Sequence, residues 1–283
     1  MIAPPPDVVR RAVAAALDED LDVSGDVTSL AVVPAAAQAV GSLVARERLK
    51  LAGMPLARAV FEALEPGVAF TVLCSDGETV EAGTVVARVA GSARAILAGE
   101  RTALNFLMRL SGIATAASAA VDEIRGTRAR ILDTRKTAPG LRILEKYAVA
   151  TGGADNHRMG LHDGVLIKDT HLAIVGSIAD AVALARAAGH PAERITVEVS
   201  SLAQLDDACA AGAGRALLDN FSVEEVRDAV QRARGRIVLE ASGGLAPGRL
   251  RSYAEAGVDF LSLGYLTHSS RAMDFALDVE PSP

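Results

Sequence analysis

The chain has 283 residues, half of them apolar, and a formal net charge of -6. This length supports a large core in one or two domains, and the acidic balance argues against a nucleic-acid-binding protein, so any cationic site must be local. The two cysteines, Cys74 and Cys209, lack metal-ligand spacing and predict a reduced, cytoplasmic protein. We find no signal-peptide pattern and no uncharged apolar stretch of about twenty residues, so no membrane segment is expected.

The first third of the chain predicts a mixed domain. In chain order, the patterns predict a helix, a strand, a helix and three further strands, over residues 7–17, 39–49, 55–64, 68–74, 84–89 and 93–97. Grouped strands with helices beside them favour an α+β sandwich. A long Ala- and Leu-rich helix over residues 98–124 is expected to lead out of this region.

From residue 131 onward, short apolar runs alternate strictly with helical segments. Strands are predicted over residues 131–134, 165–168, 194–199, 215–218, 237–240 and 259–263, with helices over 141–151, 178–188, 202–211, 223–233 and 247–256. This βα repetition is typical of a parallel sheet or barrel. Six strands are fewer than a closed barrel usually needs, so we expect an irregular barrel or one hidden strand.

Three carboxylates fall at predicted strand ends. Glu198, Asp219 and Glu240 are spaced by the same interval of 21 residues. One βα unit separates each pair, so the three should occupy equivalent places on neighbouring strands. A carboxylate inside an apolar strand is costly unless it is paired, metal-bound or facing a polar cavity. A structural ion pair explains any one of them, but a shared polar site explains all three better.

Cationic side chains are concentrated between Asp133 and Lys168. In an acidic protein this local excess predicts an anionic ligand. A solvated helix face explains Arg142 and Lys146 equally well, because they lie four residues apart. It explains the others poorly, since they flank turns or end strands. The full set is Arg135, Lys136, Arg142, Lys146, His157, Arg158, His162 and Lys168.

Glycines form a third candidate group. Ser242-Gly243-Gly244 follows the predicted strand ending at Glu240 and precedes a predicted helix near Pro247, which is a natural phosphate cradle or else an ordinary βα turn. Gly264 follows the last strand, where barrels favour phosphate sites. The glycine turn suits a sugar phosphate, and the cations suit a small acid. The carboxylates can hold hydrated Mg²⁺ or sugar hydroxyls. This combination indicates glycosyl transfer.

Ten motifs spread over nearly the whole chain resemble the quinolinate phosphoribosyltransferase family. They are GDVTS at 25–29, GERTALN at 99–105, DTRKTAPGLR at 133–142, EKYAV at 145–149, NHR at 156–158, LIKD at 166–169, VEV at 197–199, LDN at 218–220, EASGG at 240–244 and LTHS at 266–269. The set as a whole is highly specific. Departures from the family's usual residues at Ala154, Thr170 and Ser200-Ser201 concern only loop geometry beside the site.

The resemblance implies an α/β fold in two domains. An N-terminal α+β open sandwich would cover residues 1–112 and an irregular α/β (TIM-like) barrel residues 113–266, with the tail 267–283 returning to the first domain. It also implies phosphoribosyl transfer from phosphoribosyl pyrophosphate to quinolinate with decarboxylation, and Mg²⁺ as a cofactor. The assembly would be a homodimer or a multiple of dimers with shared active sites, without nucleic-acid or membrane partners.

The resemblance further implies which residues bind the acid. Arg101 would reach into the partner subunit's site. The two carboxylates of quinolinate would be held by Arg135, His157 and Arg158, with Lys136 and Lys168 lining the pocket.

The sugar-phosphate half of the site is implied in the same way. Glu198 and Asp219 would hold the ribose hydroxyls or Mg²⁺, directly or through water or substrate. The 5′-phosphate would lie against Ser242, Gly243, Gly264 and His268. The catalytic candidates are Lys136, Lys168, Glu198 and Asp219.

Two other classes of function fit parts of the sequence. Lys168 ends a predicted barrel strand, as the lysine of a Schiff-base lyase can, although the surrounding Arg and His residues suit an anion better than a desolvated amine. A non-enzymatic anion-binding module on the same barrel is the second alternative.

Overall fold

The computed structural model describes residues 3–282. Its helices are α1 (Pro6–Leu21), α2 (Val27–Val32), α3 (Met54–Leu64), α4 (Ala93–Glu123), α5 (Arg142–Thr151), α6 (Asp169–Val175), α7 (Ile178–Ala187), α8 (Leu202–Ala211), α9 (Val223–Ala233), α10 (Leu250–Glu255) and α11 (Tyr265–His268). Its strands are β1 (Gln38–Ala45), β2 (Leu49–Lys50), β3 (Ala69–Val72), β4 (Thr79–Val80), β5 (Val85–Ser92), β6 (Arg130–Leu132), β7 (Val165–Ile167), β8 (Ile195–Val199), β9 (Arg215–Asp219), β10 (Val238–Ser242), β11 (Phe260–Ser262) and β12 (Phe275–Pro281).

These elements form two compact units. The first holds the described residues up to Ser118, together with Thr137–Gly153 and those from Ser269 onward; the second holds Ala119–Lys136 and Ala154–His268. The predicted domain division at residues 112 and 113 stays a prediction. The units differ from it chiefly by grouping α5 with the first unit.

The first unit is built on a four-stranded antiparallel sheet. Its strand order is β12-β1-β5-β3, and β2 pairs separately with β4. The tail of the chain joins this sheet, because β12 pairs antiparallel with β1 from Ala39↔Pro281 to Ala45↔Phe275. Buried side chains such as Leu43, Phe61 and Val89 form its core.

The predicted strand over residues 93–97 is wrong. β5 ends at Ser92, and α4 begins at Ala93 and continues to Glu123. Ala, Leu and Arg are strong helix formers, and the Ala-rich stretch that follows extends the helix without a break. Contrary to the expectation from sequence, α4 is long and apolar enough to span a membrane by length and composition. Half of its most apolar stretch is buried inside the protein, as in an ordinary core helix.

The second unit is built on a six-stranded parallel sheet. Its strand order is β6-β11-β10-β9-β8-β7, and each neighbouring pair runs parallel. The six strands are the six predicted from the alternating pattern. Beyond β6, Leu132 forms a parallel bridge with Asp155, whose N–H group donates to the Ile131 carbonyl at 2.9 Å. This single bridge occupies the place of the additional strand, and the sheet is therefore irregular.

Alternation along the strands separates core from site. Successive residues of a strand point to opposite faces of the sheet. In β8, Val197 and Val199 are fully buried, and Glu198 between them lines a pocket on the other face. The same alternation in β10 buries Leu239 and Ala241 on one face.

Serine caps explain why two helices begin where the sequence predicted. The Ser201 hydroxyl accepts from the Gln204 N–H group at the start of α8. Ser222 and Glu225 form a reciprocal capping box at the start of α9. Ser201, one of the departures from the family pattern, thus has a local structural role.

Candidate active site

A pocket of about 590 Å³ opens where the six parallel strands of the second unit end. Ligand sites in parallel α/β folds lie at this edge, since the loops that follow the strands converge there. Every predicted site residue except Arg101 lies in its lining, which consists of Thr134, Arg135, Lys136, His157, Arg158, Leu166, Lys168, Glu198, Asp219, Glu240, Ser242, Gly243, Gly244, Leu245, Ser262, Gly264, Tyr265 and His268. Arg101 is an exposed residue of α4 in the first unit.

The other predicted cations lie outside this pocket. Lys146 is fully buried in the first unit, so the interpretation of Arg142 and Lys146 as a solvated helix face is wrong for Lys146. Arg142 is half-buried, and its Nε donates to the Thr137 hydroxyl at 2.9 Å. His162 is exposed and not part of the pocket lining.

Two arginines form the cationic side of the pocket. Burial lowers the pKa of Arg158, the neighbouring Arg135 guanidinium lowers it further, and Asp163 offsets part of this effect. Arg158 Nη1 donates to the Gly164 carbonyl at 2.9 Å. Arg135 Nε is buried and has no hydrogen-bond partner among residues 3–282. Two guanidinium groups that repel each other, one with an unsatisfied buried donor, are costly unless an anion joins them.

The loop that carries Arg158 is held by two aspartates. The fully buried Asp133 accepts from the His157 main-chain N–H group at 2.8 Å and from Asn156 Nδ2 at 3.0 Å. Burial would raise the pKa of Asp163, but the main-chain N–H groups of Met159, Gly160 and Asp163 itself, together with His162, lower it. The Arg158 main chain is therefore fixed on both sides.

Lys168 is paired inside the pocket. Its Nζ lies 3.0 Å from Glu198 Oε2, and the two side chains are 44% and 17% exposed. Lys168 directly follows β7, and its N–H group donates to His171 Nδ1 at 3.0 Å. The pair places a positive and a negative charge side by side in the pocket lining.

The three equally spaced carboxylates do not occupy equivalent places. Glu198 and Glu240 both pair in register with Leu217, whereas Asp219 pairs with Ser242, two residues further along the strand. The expectation of equivalence is wrong because residue spacing does not fix where each strand begins. Asp219 therefore lies nearer the mouth of the pocket, and Glu198 and Glu240 lie deeper.

Glu240 is the most enclosed of the three. Its side chain is fully buried, with Arg215 Nη1 at 2.9 Å and His157 Nε2 at 3.3 Å, and the Ser262 hydroxyl donates to it. Burial would raise the pKa of Glu240, but His157, Ser262 and Arg215 together hold it below its ordinary value. Arg215 was not among the predicted site residues, since it begins a strand and belongs to none of the motifs.

The glycine turn after β10 adopts left-handed backbone conformations and packs closely against Asn220. Gly243 and Gly244 have φ values of +87° and +59°, and a Cβ on Gly243 would lie 2.3 Å from Asn220 Oδ1. The predicted helix near Pro247 begins later, at Leu250, so no helix start lies directly behind these amides. A Cβ on Gly264 would lie 3.0 Å from Lys136 Cδ and from His268 Nε2, so this position is also crowded.

The pocket offers few protein ligands for a metal. Within the part of the chain that the structure describes, no group of three or more His, Cys, Asp or Glu side chains is arranged to hold a metal ion. Mg²⁺ usually keeps several waters and binds one or two carboxylates together with substrate phosphates. Glu198 and Asp219 fit that mode, and they do not fit a closed protein cage.

Family models and individual relatives both match this chain to the same family. The quinolinate phosphoribosyl transferase N-terminal domain family matches residues 26–111, and the C-terminal domain family matches residues 113–278. The chain is 46% identical to the nicotinate-nucleotide pyrophosphorylase [carboxylating] of Mycobacterium leprae, over 96% of this chain and 98% of that one.

Solved structures agree with the sequence comparison. The nicotinate-nucleotide pyrophosphorylase of Francisella tularensis superposes with a TM-score of 0.92 at 38% identity, covering 98% of each chain. NadC from Streptococcus pyogenes superposes with a TM-score of 0.95 at 37% identity, covering each chain completely. Both domains of the family, near-complete coverage and the shared fold lead to one conclusion: the chain belongs to the quinolinate phosphoribosyltransferase family.

Proposed function

We propose that this protein transfers the phosphoribosyl group of phosphoribosyl pyrophosphate to quinolinate and decarboxylates the product. The products are nicotinate mononucleotide, pyrophosphate and carbon dioxide, in the de novo synthesis of NAD. Membership of the family supports this activity, and the pocket offers matching chemistry. It is a nicotinate-nucleotide diphosphorylase (carboxylating), a pentosyltransferase.

The cationic side carries the assignment of the acid. Arg135 has a buried, unsatisfied Nε and lies beside Arg158, whose pKa is lowered by burial and by that neighbour. Quinolinate has two adjacent carboxylates, and arginine offers a planar fork that fits a carboxylate. One dianion removes both the repulsion and the unsatisfied donor. Lys136 and Lys168 line the same cavity and add positive charge.

The opposite side suits the sugar phosphate. Glu198 and Asp219 would hold the ribose hydroxyls, or Mg²⁺ carried in with the pyrophosphate. The 5′-phosphate would lie at the glycine turn, against Ser242, Gly243, Gly264 and His268, where main-chain N–H groups can approach an anion. When bound, Mg²⁺ supplies positive charge that neutralises the phosphate oxygens.

The reaction needs positioning and charge more than proton transfer. The quinolinate ring nitrogen forms a bond to the anomeric carbon while the bond to pyrophosphate breaks, and no proton leaves the nitrogen. Positive charge develops on the ribose, where Glu198 and Asp219 stabilise it, and negative charge develops on pyrophosphate, where Lys136 and Lys168 stabilise it. The carbon–carbon bond to the adjacent carboxylate then breaks, and the pyridinium accepts the electron pair until the carbon takes up a proton.

Direct assay tests this function. Quinolinate, phosphoribosyl pyrophosphate and Mg²⁺ should yield nicotinate mononucleotide and carbon dioxide in equal amounts. Tight quinolinate binding without turnover would instead indicate an anion-binding module. Borohydride trapping of a carbonyl substrate on Lys168 would indicate a Schiff-base lyase, an alternative that is disfavoured because Lys168 Nζ is already engaged by Glu198 at 3.0 Å.

We infer a cytoplasmic homodimer, or a multiple of dimers, in which Arg101 of one subunit enters the partner's pocket. Arg101 is exposed on α4, which leaves it accessible to a second chain. Inactive Arg101→Ala and Lys168→Ala subunits, when mixed, should regain some activity because one hybrid site keeps both residues. An absence of rescue in verified mixed dimers would contradict sharing.

A further inference from the structure

Glu240 is a charged group of the pocket whose partners all belong to the protein. It lies in the pocket lining but is fully buried, with Arg215, His157 and Ser262 around its carboxylate. Arg215 also lies over the Phe260 ring, with the guanidinium carbon 4.5 Å from the ring centroid. A carboxylate enclosed in this way has little capacity left for a substrate, so its role must be exerted through its neighbours.

His157 is the neighbour that leads back to the substrate. The Arg158 main-chain N–H group donates to His157 Nδ1 at 2.7 Å, and His157 Nε2 lies 3.3 Å from Glu240 Oε1. A ring nitrogen that accepts from an N–H group carries no proton, so the proton of the imidazole is on Nε2 and points at Glu240. Both ring nitrogens are thus engaged within the protein.

The two contacts leave one ring proton on His157, on Nε2, because Nδ1 accepts a hydrogen bond. Arg215 Nη1 lies 2.9 Å from Glu240 Oε2 and is the cationic partner of that carboxylate. With His157 neutral, two guanidinium groups remain for the two carboxylates of quinolinate.

We propose that Glu240 is a positioning residue, which holds His157 as the neutral Nε2–H tautomer so that His157 orients the Arg158 main chain and makes no charged contact with substrate. This inference rests on the proposed function for the identity of the substrate. It revises the sequence-based role of His157 as a direct carboxylate ligand. Arg215 balances Glu240 from the inner end of the same cluster.

Nitrogen NMR of the intact enzyme tests the tautomer directly. The chain has five histidines, so ¹⁵N-histidine labelling with a His157→Gln control assigns the signal. At neutral pH we expect a pyrrole-like Nε2 and a pyridine-like Nδ1, unchanged when quinolinate saturates the site. An imidazolium in either state, or an Nδ1–H tautomer, would overturn the proposal. This readout needs no turnover, so an inactive enzyme with the expected tautomer would refute only the proposed function.

Two uncharged replacements of His157 separate orientation from charge. Asn offers an acceptor near the Nδ1 position, and Gln offers a donor near the Nε2 position. We expect His157→Asn to keep the quinolinate KM within roughly threefold, and His157→Gln to raise it about tenfold, with the KM for phosphoribosyl pyrophosphate unchanged in both. Equal, large losses in the two variants would indicate a lost cation and contradict the proposal.

Glu240 itself is tested in a background that leaves no buried charge alone. In the double variant Glu240→Gln with Arg215→Met, the amide can accept or donate, so it no longer selects one tautomer. The His157 signal should shift to a mixture of tautomers, and the quinolinate KM should rise. A merely structural glutamate would leave the tautomer as it is in the wild type, and that result would overturn the proposal.

Discussion

The cationic pair Arg135 and Arg158 and the carboxylate Glu240, all in the second unit, differ in how fully other protein groups satisfy them. Arg135 and Arg158 are partly buried side by side, and Arg135 keeps an unsatisfied donor. Glu240 is more deeply buried, yet Arg215, His157 and Ser262 satisfy it. The full pairing of Glu240 contrasts with the buried Arg135 Nε, which has no hydrogen-bond partner among residues 3–282. Arg135 and Arg158 form the ligand-binding side. Glu240, Arg215, His157 and Ser262 form a supporting cluster, which we call the frame.

The largest expected effect is on stability and comes from the frame. Arg215→Met removes the guanidinium that lies 2.9 Å from the buried Glu240 carboxylate, which should lower the free energy of unfolding by about 3–5 kcal/mol. Urea unfolding measures this. The matched control is Arg227→Met, because Arg227 is 52% exposed on α9 and should change stability by less than about 0.5 kcal/mol. If Arg215→Met were as stable as this control, Glu240 would not depend on Arg215.

The second effect is on catalysis and comes from the ligand side. Arg135→Ala should raise the activation barrier measured by kcat/KM by about 2.7–4 kcal/mol, on the order of a hundredfold to a thousandfold. Its stability should stay equal to the wild type or rise, since the repulsion with Arg158 is lost. Steady-state kinetics and thermal unfolding of the same preparation give both values. Near-normal kcat/KM, or a large loss of stability, would place Arg135 in the frame.

Much of this division could be predicted from sequence, and the missing part has a physical reason. The six strands of the parallel sheet, α8 and α9 follow from the alternating apolar pattern, and the cationic residues follow from local charge excess. The balance of each charge could not be predicted. Arg215 and Ser262 meet Glu240 only through strand register and folding of distant segments.

The carboxylates show the same limit. Equal spacing along the chain suggested equal depth, but the register places Asp219 two residues beyond the level of Glu198 and Glu240. The depth of each carboxylate in the pocket determines what it can bind: Glu240 is enclosed by protein groups, whereas Asp219 at the mouth stays accessible to a ligand. Likewise, the run at residues 93–97 contained no signal that separated a strand from the helix that continues it.

The third effect depends on pH and again separates the two sides. The pKa of Glu240 is held below the ordinary glutamate value of 4.5, so the unfolded chain binds a proton here before the folded chain does. Stability from this group is complete above that value and is lost as pH falls through the lowered folded pKa. The free energy of unfolding, measured with urea, should therefore fall more steeply from neutral to acid pH in the wild type than in Glu240→Gln/Arg215→Met. Parallel curves would contradict the depressed pKa.

The smallest effect concerns the pair that lies between the two sides. Lys168 and Glu198 are 3.0 Å apart, but Lys168 is 44% exposed, and partly exposed pairs typically contribute only about 0.2–1 kcal/mol. A double-mutant cycle with Lys168→Met and Glu198→Gln should give a coupling free energy of that size, while both single variants lose most of their turnover. A coupling above about 2 kcal/mol would mean that the pair is held as tightly as a buried one. Lys168 would then belong to the frame with Glu240, because a lysine so firmly bound to its own protein is a poor partner for a departing pyrophosphate.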